Sequence, residues 1–253
     1  MKRVLAALIA FVAVTTSASA EDALSLYKAG KYEAAISAAV AQNNAAGFAL
    51  AARAALGEAL TQKPCLSCLQ RAEGFARKAI AADEHLPDGH IYLAVSLGYE
   101  ARIIGIVRAR LAGYAEESKK NLDAALASDP HDALALMALG GWNLEIVHSG
   151  GAFMANMLYG ATVEKGKADF AAAFKAAPTY IVARYQYALG LGSIDSKVHK
   201  AEVSDALARA SNGTPMTAYE TFIQGRAREL LATLNKNDMT NFDSLIRRDQ
   251  GYP

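Results

Sequence analysis

Ala133–His148 constrains the fold of this chain more than any other stretch. It follows Asp129-Pro130, a dipeptide that stops one helix and lets another start, because proline fixes its own φ and disfavours helical backbone in the residue before it. It ends before Gly150-Gly151. Between those marks Leu134, Leu136, Met137, Leu139, Trp142, Leu144, Ile146 and Val147 occupy every side of a helical wheel. A helix apolar all round has no face to give to water and belongs in the middle of a helical stack. Proline is rare along the rest of the chain, strand formers are scattered, and Ala, Leu, Glu, Lys and Arg recur with helical spacing. The expected fold class is all-α.

The helices are expected in pairs. Leu26–Ile36 has the form of two helices joined at Gly30, which can take the left-handed conformation that ends the first; Tyr32, Ala35 and Ile36 then pack the second back on it. The pattern returns at Gly113-Tyr114, with Leu122, Ala125 and Leu126 leading to Asp129-Pro130, and again at Phe170, Ala173 and Phe174 leading to Pro178. A new apolar helix follows each proline, through Leu136, Leu139 and Gly140 and then Arg184, Tyr187 and Ala188. This arrangement resembles the tetratricopeptide repeat, a helix-turn-helix unit of about 34 residues with small residues at close crossings and proline at its end. Gly113–Pro130 fits the second half of that unit without gaps. The interval from Pro130 to Pro178 is longer than one unit, and the surplus is 148–161.

That surplus carries a narrower resemblance. Leu139-Gly140-Gly141-Trp142, the Met- and aromatic-bearing segment ending Leu158-Tyr159-Gly160, and the Phe170–Pro178 helix are similar to the regulator of microtubule dynamics family and its bacterial relatives. The resemblance implies a tetratricopeptide-like right-handed array of antiparallel helix pairs with an inserted helical hairpin. The microtubule association in the family's name does not carry over to a chain that reads as exported.

Export is expected from the N-terminus. Lys2 and Arg3 form a charged start, Val4–Val14 is an apolar run of signal-peptide length, and Ala18-Ser19-Ala20 is a small-residue cleavage site. The expected division is a cleaved signal peptide over 1–20, a helical-repeat domain over 21–234 and a tail over 235–253. A periplasmic location follows, with no membrane span after cleavage. Removing Lys2 and Arg3 leaves 24 of the 26 basic residues against 25 acidic ones. Such a balance argues against nucleic-acid binding, which depends on neutralising many phosphates, and against a polybasic membrane patch. Two closing helices are expected at 197–211 and 214–234, the second with Thr214 as N-cap and Pro215 at its first position.

Few motifs carry chemistry. Cys65 and Cys68 are expected to form a disulfide tying down the start of a helix over Leu69–Ala82. A zinc site combining them with His85 and His90 is the alternative, although the helix between carries the histidines away from the cysteines. Glu145 and His148 share a helix face. Bridged metal sites use that spacing twice, and no second copy occurs, so a polar pair lining a groove is the simpler reading. No catalytic motif appears, so no enzyme activity and no cofactor are expected.

Binding residues are expected where the first helix of each pair lines a concave face: Tyr92, Tyr99, Arg102, Met137, Trp142, Glu145, His148 and Tyr185. Aromatic and arginine side chains are favoured anchors there, although each tyrosine can equally fill core. Met154, Met157 and Tyr159 are candidates to close one end of the groove. The expected function is a non-catalytic scaffold holding a protein or peptide partner in the cell envelope. The alternative is a small-ligand-binding protein associated with solute transport, which a closed pocket would favour over an open groove.

Overall fold

The computed structural model describes residues 18–62 and 64–253, and among these every regular element is a helix. The charged start and apolar run of the expected signal peptide lie outside the described residues. The helices come in units. α1 (Ala18–Lys28) and α2 (Tyr32–Ala41) form the first hairpin, and α3 (Ala45–Thr61) and α4 (Leu66–Ala82) the second. Next come α5 (Pro87–Ile104), α6 (Ile106–Leu111) and α7 (Tyr114–Ser128), then α8 (Ala133–Gly150), α9 (Ala152–Tyr159) and α10 (Val163–Ala176). α11 (Ile181–Asp195) and α12 (Lys200–Asn212) precede α13 (Ala218–Asn235) and α14 (Met239–Asp249).

Two layers result. α1, α3, α5, α8, α11 and α13 pack side by side as an inner wall, while α2, α4, α7, α10 and α12 pack outside. Local sequence sets the breaks. Gly30 turns the first hairpin at φ +75. Asp132 caps α8 by accepting from the amides of Leu134 and Ala135 at 2.8 Å, which satisfies donors that a helix start otherwise leaves open. α8 lies in the interior as its composition demands, packed against α5, α7, α9, α10 and α11. Gly140 permits the close crossing with α10, because a Cβ there would meet the Phe170 ring at 2.6 Å.

The expected inserted hairpin is one short helix, α9, set between Gly151 at φ +75 and Gly160 at φ +62. The same device stands one unit earlier, where α6 sits between Gly105 at φ +85 and Gly113 at φ +71. The Trp142 side chain links α7 to the second insert. Its indole nitrogen donates to the carbonyl of Ala115 at 2.9 Å, and its ring stands edge-on to Tyr159. Both inserts leave large apolar side chains in water, Leu111 being 84% and Phe153 75% exposed.

The chain end corrects the expected helix cap. Thr217, not Thr214, caps α13: its hydroxyl accepts from Glu220 N, and Glu220 accepts in return from Met216 N. That reciprocal capping box satisfies two amides at once, more than proline at a first position offers. The expected tail contains α14, whose Phe242 and Ile246 are buried against α11 and α13.

α13 also packs against α1 and α3. At the contact, a Cβ on Gly30 would lie 2.8 Å from the Cβ of Ala218. The inner wall therefore closes on itself, and the concave face becomes the lining of a cavity.

Candidate ligand cavity

The cavity inside the inner wall has a volume of about 170 Å³. Six of the eight expected binding residues line it: Tyr92, Tyr99 and Arg102 from α5, and Met137, Trp142 and Glu145 from α8. Tyr185 does not. It faces an adjoining space of about 390 Å³ under α14, where its hydroxyl donates to Asp249 at 2.7 Å. His148 sits outside, its ring edge-on to Tyr252. Met154 and Met157 are turned to solvent and line neither space, so α9 does not close the groove.

One end of the cavity is a neutralised ion pair. Arg102 donates through Nη2 and Nε to Glu145 Oε2 at 2.7 and 2.9 Å. Ser149 and Tyr252 donate to the other carboxylate oxygen. Burial raises the Glu145 pKa, but the Arg102 charge and these donors outweigh it and hold the carboxyl below its usual range. The Tyr252 phenol is pushed up to about 12 by burial and by the Glu145 charge. The partner of Glu145 is thus Arg102 on another helix, not His148 one turn along.

The segment after α14 completes this end. Arg102 Nη1 donates to the carbonyl of Gln250 at 3.0 Å. Its guanidinium stacks on Tyr99 at 4.7 Å, and a Cβ on Gly251 would lie 3.4 Å from the Tyr99 ring. Gln250–Pro253 therefore lies against this end, in contact with Tyr99, Arg102 and Glu145, and lines the adjoining space.

The other end is built differently. Arg53, on α3, enters among Tyr27, Tyr92, Tyr180 and Tyr219, with its guanidinium 4.6 Å from the centre of the Tyr27 ring. Among the described residues no carboxylate reaches it at ion-pair distance. Burial opposes its charge while the phenols of Tyr92, Tyr27 and Tyr180 support it, with a net rise in its pKa. Asp88 is the acid that feels Arg53 most; burial raises its pKa against the pull of that charge. Between the two ends the wall is apolar, with Leu56, Leu60, Val95 and Leu134. Arg53 escaped the sequence reading, although it is the single charged residue between Ala45 and Gly57, a placement that marks a helix buried on most sides.

The metal alternatives do not assemble. Cys65 and Cys68 are joined as a disulfide at the start of α4. The His90 ring is held between Asn121 at 2.7 Å and the carbonyl of Glu84 at 2.8 Å, and His85 is exposed. Among the described residues no group of three or more His, Cys, Asp or Glu side chains converges to hold a metal ion. No helix among them is long and apolar enough to cross a membrane.

An all-helical array built around an internal cavity is the class that fold and geometry define. The model of the family described as regulator of microtubule dynamics protein 1-3 matches residues 23–235, and the chain belongs to that family. The match spans the inner wall through α13 and stops before α14 and the segment after it. No curated protein matches the chain.

Proposed function

We propose that this chain is a non-catalytic binding protein, a tetratricopeptide-type array that encloses a small ligand and works in the cell envelope after export. The return of the inner wall on itself carries the proposal: with α13 against α1 and α3, the concave face lines a partly open cavity. A concave, mostly apolar space with a few convergent polar groups is the usual form of a small-molecule site. The Lys2-Arg3 start, the apolar run after it and a disulfide suited to an oxidising compartment support export. Fold does not fix function, and the association named in the family title has no counterpart in these features. Native mass spectrometry of the tagged protein, purified without detergent, tests the reading. A bound mass of one small molecule, lost on denaturing extraction, is expected. A chain that carries no ligand and binds none from a metabolite library refutes it.

A peptide-binding array is the second reading, and one observation favours it. The chain's own Gln250–Pro253 rests against one end of the concave face, with a main-chain carbonyl taken by Arg102. A chain ending at Asp249 should then bind a synthetic Gln250–Pro253 peptide supplied in trans. Failure to bind it removes this reading and leaves the first intact.

A further inference from the structure

Arg53 lines the cavity without an ion-pair partner among the described residues. Arg71, Arg77, Arg102, Arg209, Arg226 and Arg248 each reach a carboxylate. Arg53 reaches none among the described residues, yet it stands in the wall of the cavity with Tyr27, Tyr92, Tyr180 and Tyr219 around it and Asp88 near enough to feel its charge. Taking a cation out of water without a counter-charge costs several kcal/mol. Its neighbours on the alanine-rich α3, Ala51, Ala52, Ala54 and Ala55, are all buried, while Arg53 itself is half-buried.

We propose that Arg53 receives the carboxylate of a monoanionic ligand with an apolar or aromatic body. The proposal rests on the small-ligand reading above and names the ligand's chemistry. A guanidinium offers two parallel N–H donors, a fork that matches one carboxylate. One positive charge balances one negative charge. A dianion would leave the surplus facing Asp88, which lies close enough to Arg53 to feel its charge. Arg102 at the far end offers no competing site, because Glu145 already neutralises it. The body of the ligand then lies between them against Leu56, Leu60, Val95 and Met137. A space of about 170 Å³ holds several waters or one small organic molecule.

The lone tryptophan, Trp142, lines the same chamber and reports occupancy. The experiment titrates the full chain with 3-phenylpropionate and, separately, with 3-phenylpropanol, which has the same body and no charge. Tryptophan fluorescence and calorimetry are the readouts. The expected result is at least tenfold tighter binding of the acid, with Arg53→Met abolishing that preference. Equal affinity for acid and alcohol in the unaltered protein overturns the proposal while the chamber reading stands, and that comparison needs no variant to fold. An acid preference that survives in Arg53→Met overturns it as well. Failure of both probes to bind removes the proposal, and the ligand-mass experiment then decides the chamber reading separately.

Discussion

Replacing Glu100 by glutamine should stabilise the protein above neutral pH and change little in acid. The side chain is fully buried in α5. One carboxyl oxygen accepts from the Tyr114 hydroxyl at 3.3 Å, and the other has no partner. Burial pushes the Glu100 pKa from 4.5 up to about 7; the Glu73 charge adds to that, while the Tyr114 hydrogen bond and Arg77 oppose it. A folded pKa above the unfolded one means that the folded protein keeps a proton the unfolded chain has released. Stability is therefore fully present below the unfolded value and is lost as pH rises through the folded one. Each pKa unit is worth about 1.4 kcal/mol, so the shift sets a ceiling of about 3.5 kcal/mol. The expected gain is about 1–3 kcal/mol. That corresponds to a rise in Tm of roughly 2–10 °C for a chain of this size. Glutamine keeps the shape and cannot ionise. Thermal unfolding of both proteins at about pH 5 and about pH 8 reads the difference, and contributions from other groups cancel between them. A gain of the same size at both pH values, or a loss at the higher one, would show that Glu100 is not carrying a buried proton.

Four further outcomes follow from the geometry. Arg102→Ala leaves the Glu145 carboxylate buried without its cation, so a loss on the order of 3–5 kcal/mol is expected, with faster amide exchange over Gln250–Pro253; unchanged exchange there would mean that the tail is held elsewhere. Gly140→Ala drives a methyl group into the Phe170 ring, and urea unfolding should register a loss of about 1–3 kcal/mol. Tyr185→Phe removes the donor to Asp249 and should cost about 1–3 kcal/mol, a value that denaturation at neutral pH can check. Cys65→Ser opens a very small loop, so the chain-entropy account predicts a loss of no more than about 2 kcal/mol; a larger drop in Tm would point to a role beyond fixing the start of α4.

Local chemistry wrote most of the fold plainly. Gly30, Asp129-Pro130 and the all-round apolar α8 each act over one or two turns, and each could be read from its neighbours. α6 was missed because Ile106–Leu111, with Arg108 and Arg110 among its apolar residues, looks like the continuation of α5; only the backbone at Gly105 breaks it off. The cap of α13 was misplaced because Thr214-Pro215 and Thr217-x-x-Glu220 are both start signals and only one can win. The cavity wall was largely legible, since residues one or two turns apart on α5 and α8 share a face. What crosses it was not. The contacts of Glu145 with Arg102 and Tyr252 join positions far apart in the chain, and no helical period encodes them. Glu145 and His148 were paired by spacing alone, and a stronger cation on another helix took the carboxylate.

Open helical arrays change size easily, because each repeat touches only its neighbours and an added copy simply extends the rod. Here Gly30 lies against Ala218, so the first hairpin and the last long helix are neighbours as well. A duplicated unit would lift α13 off α1 and α3 and open the ring. Wall residues of this chain can therefore be exchanged with the ring kept, whereas an added repeat breaks it.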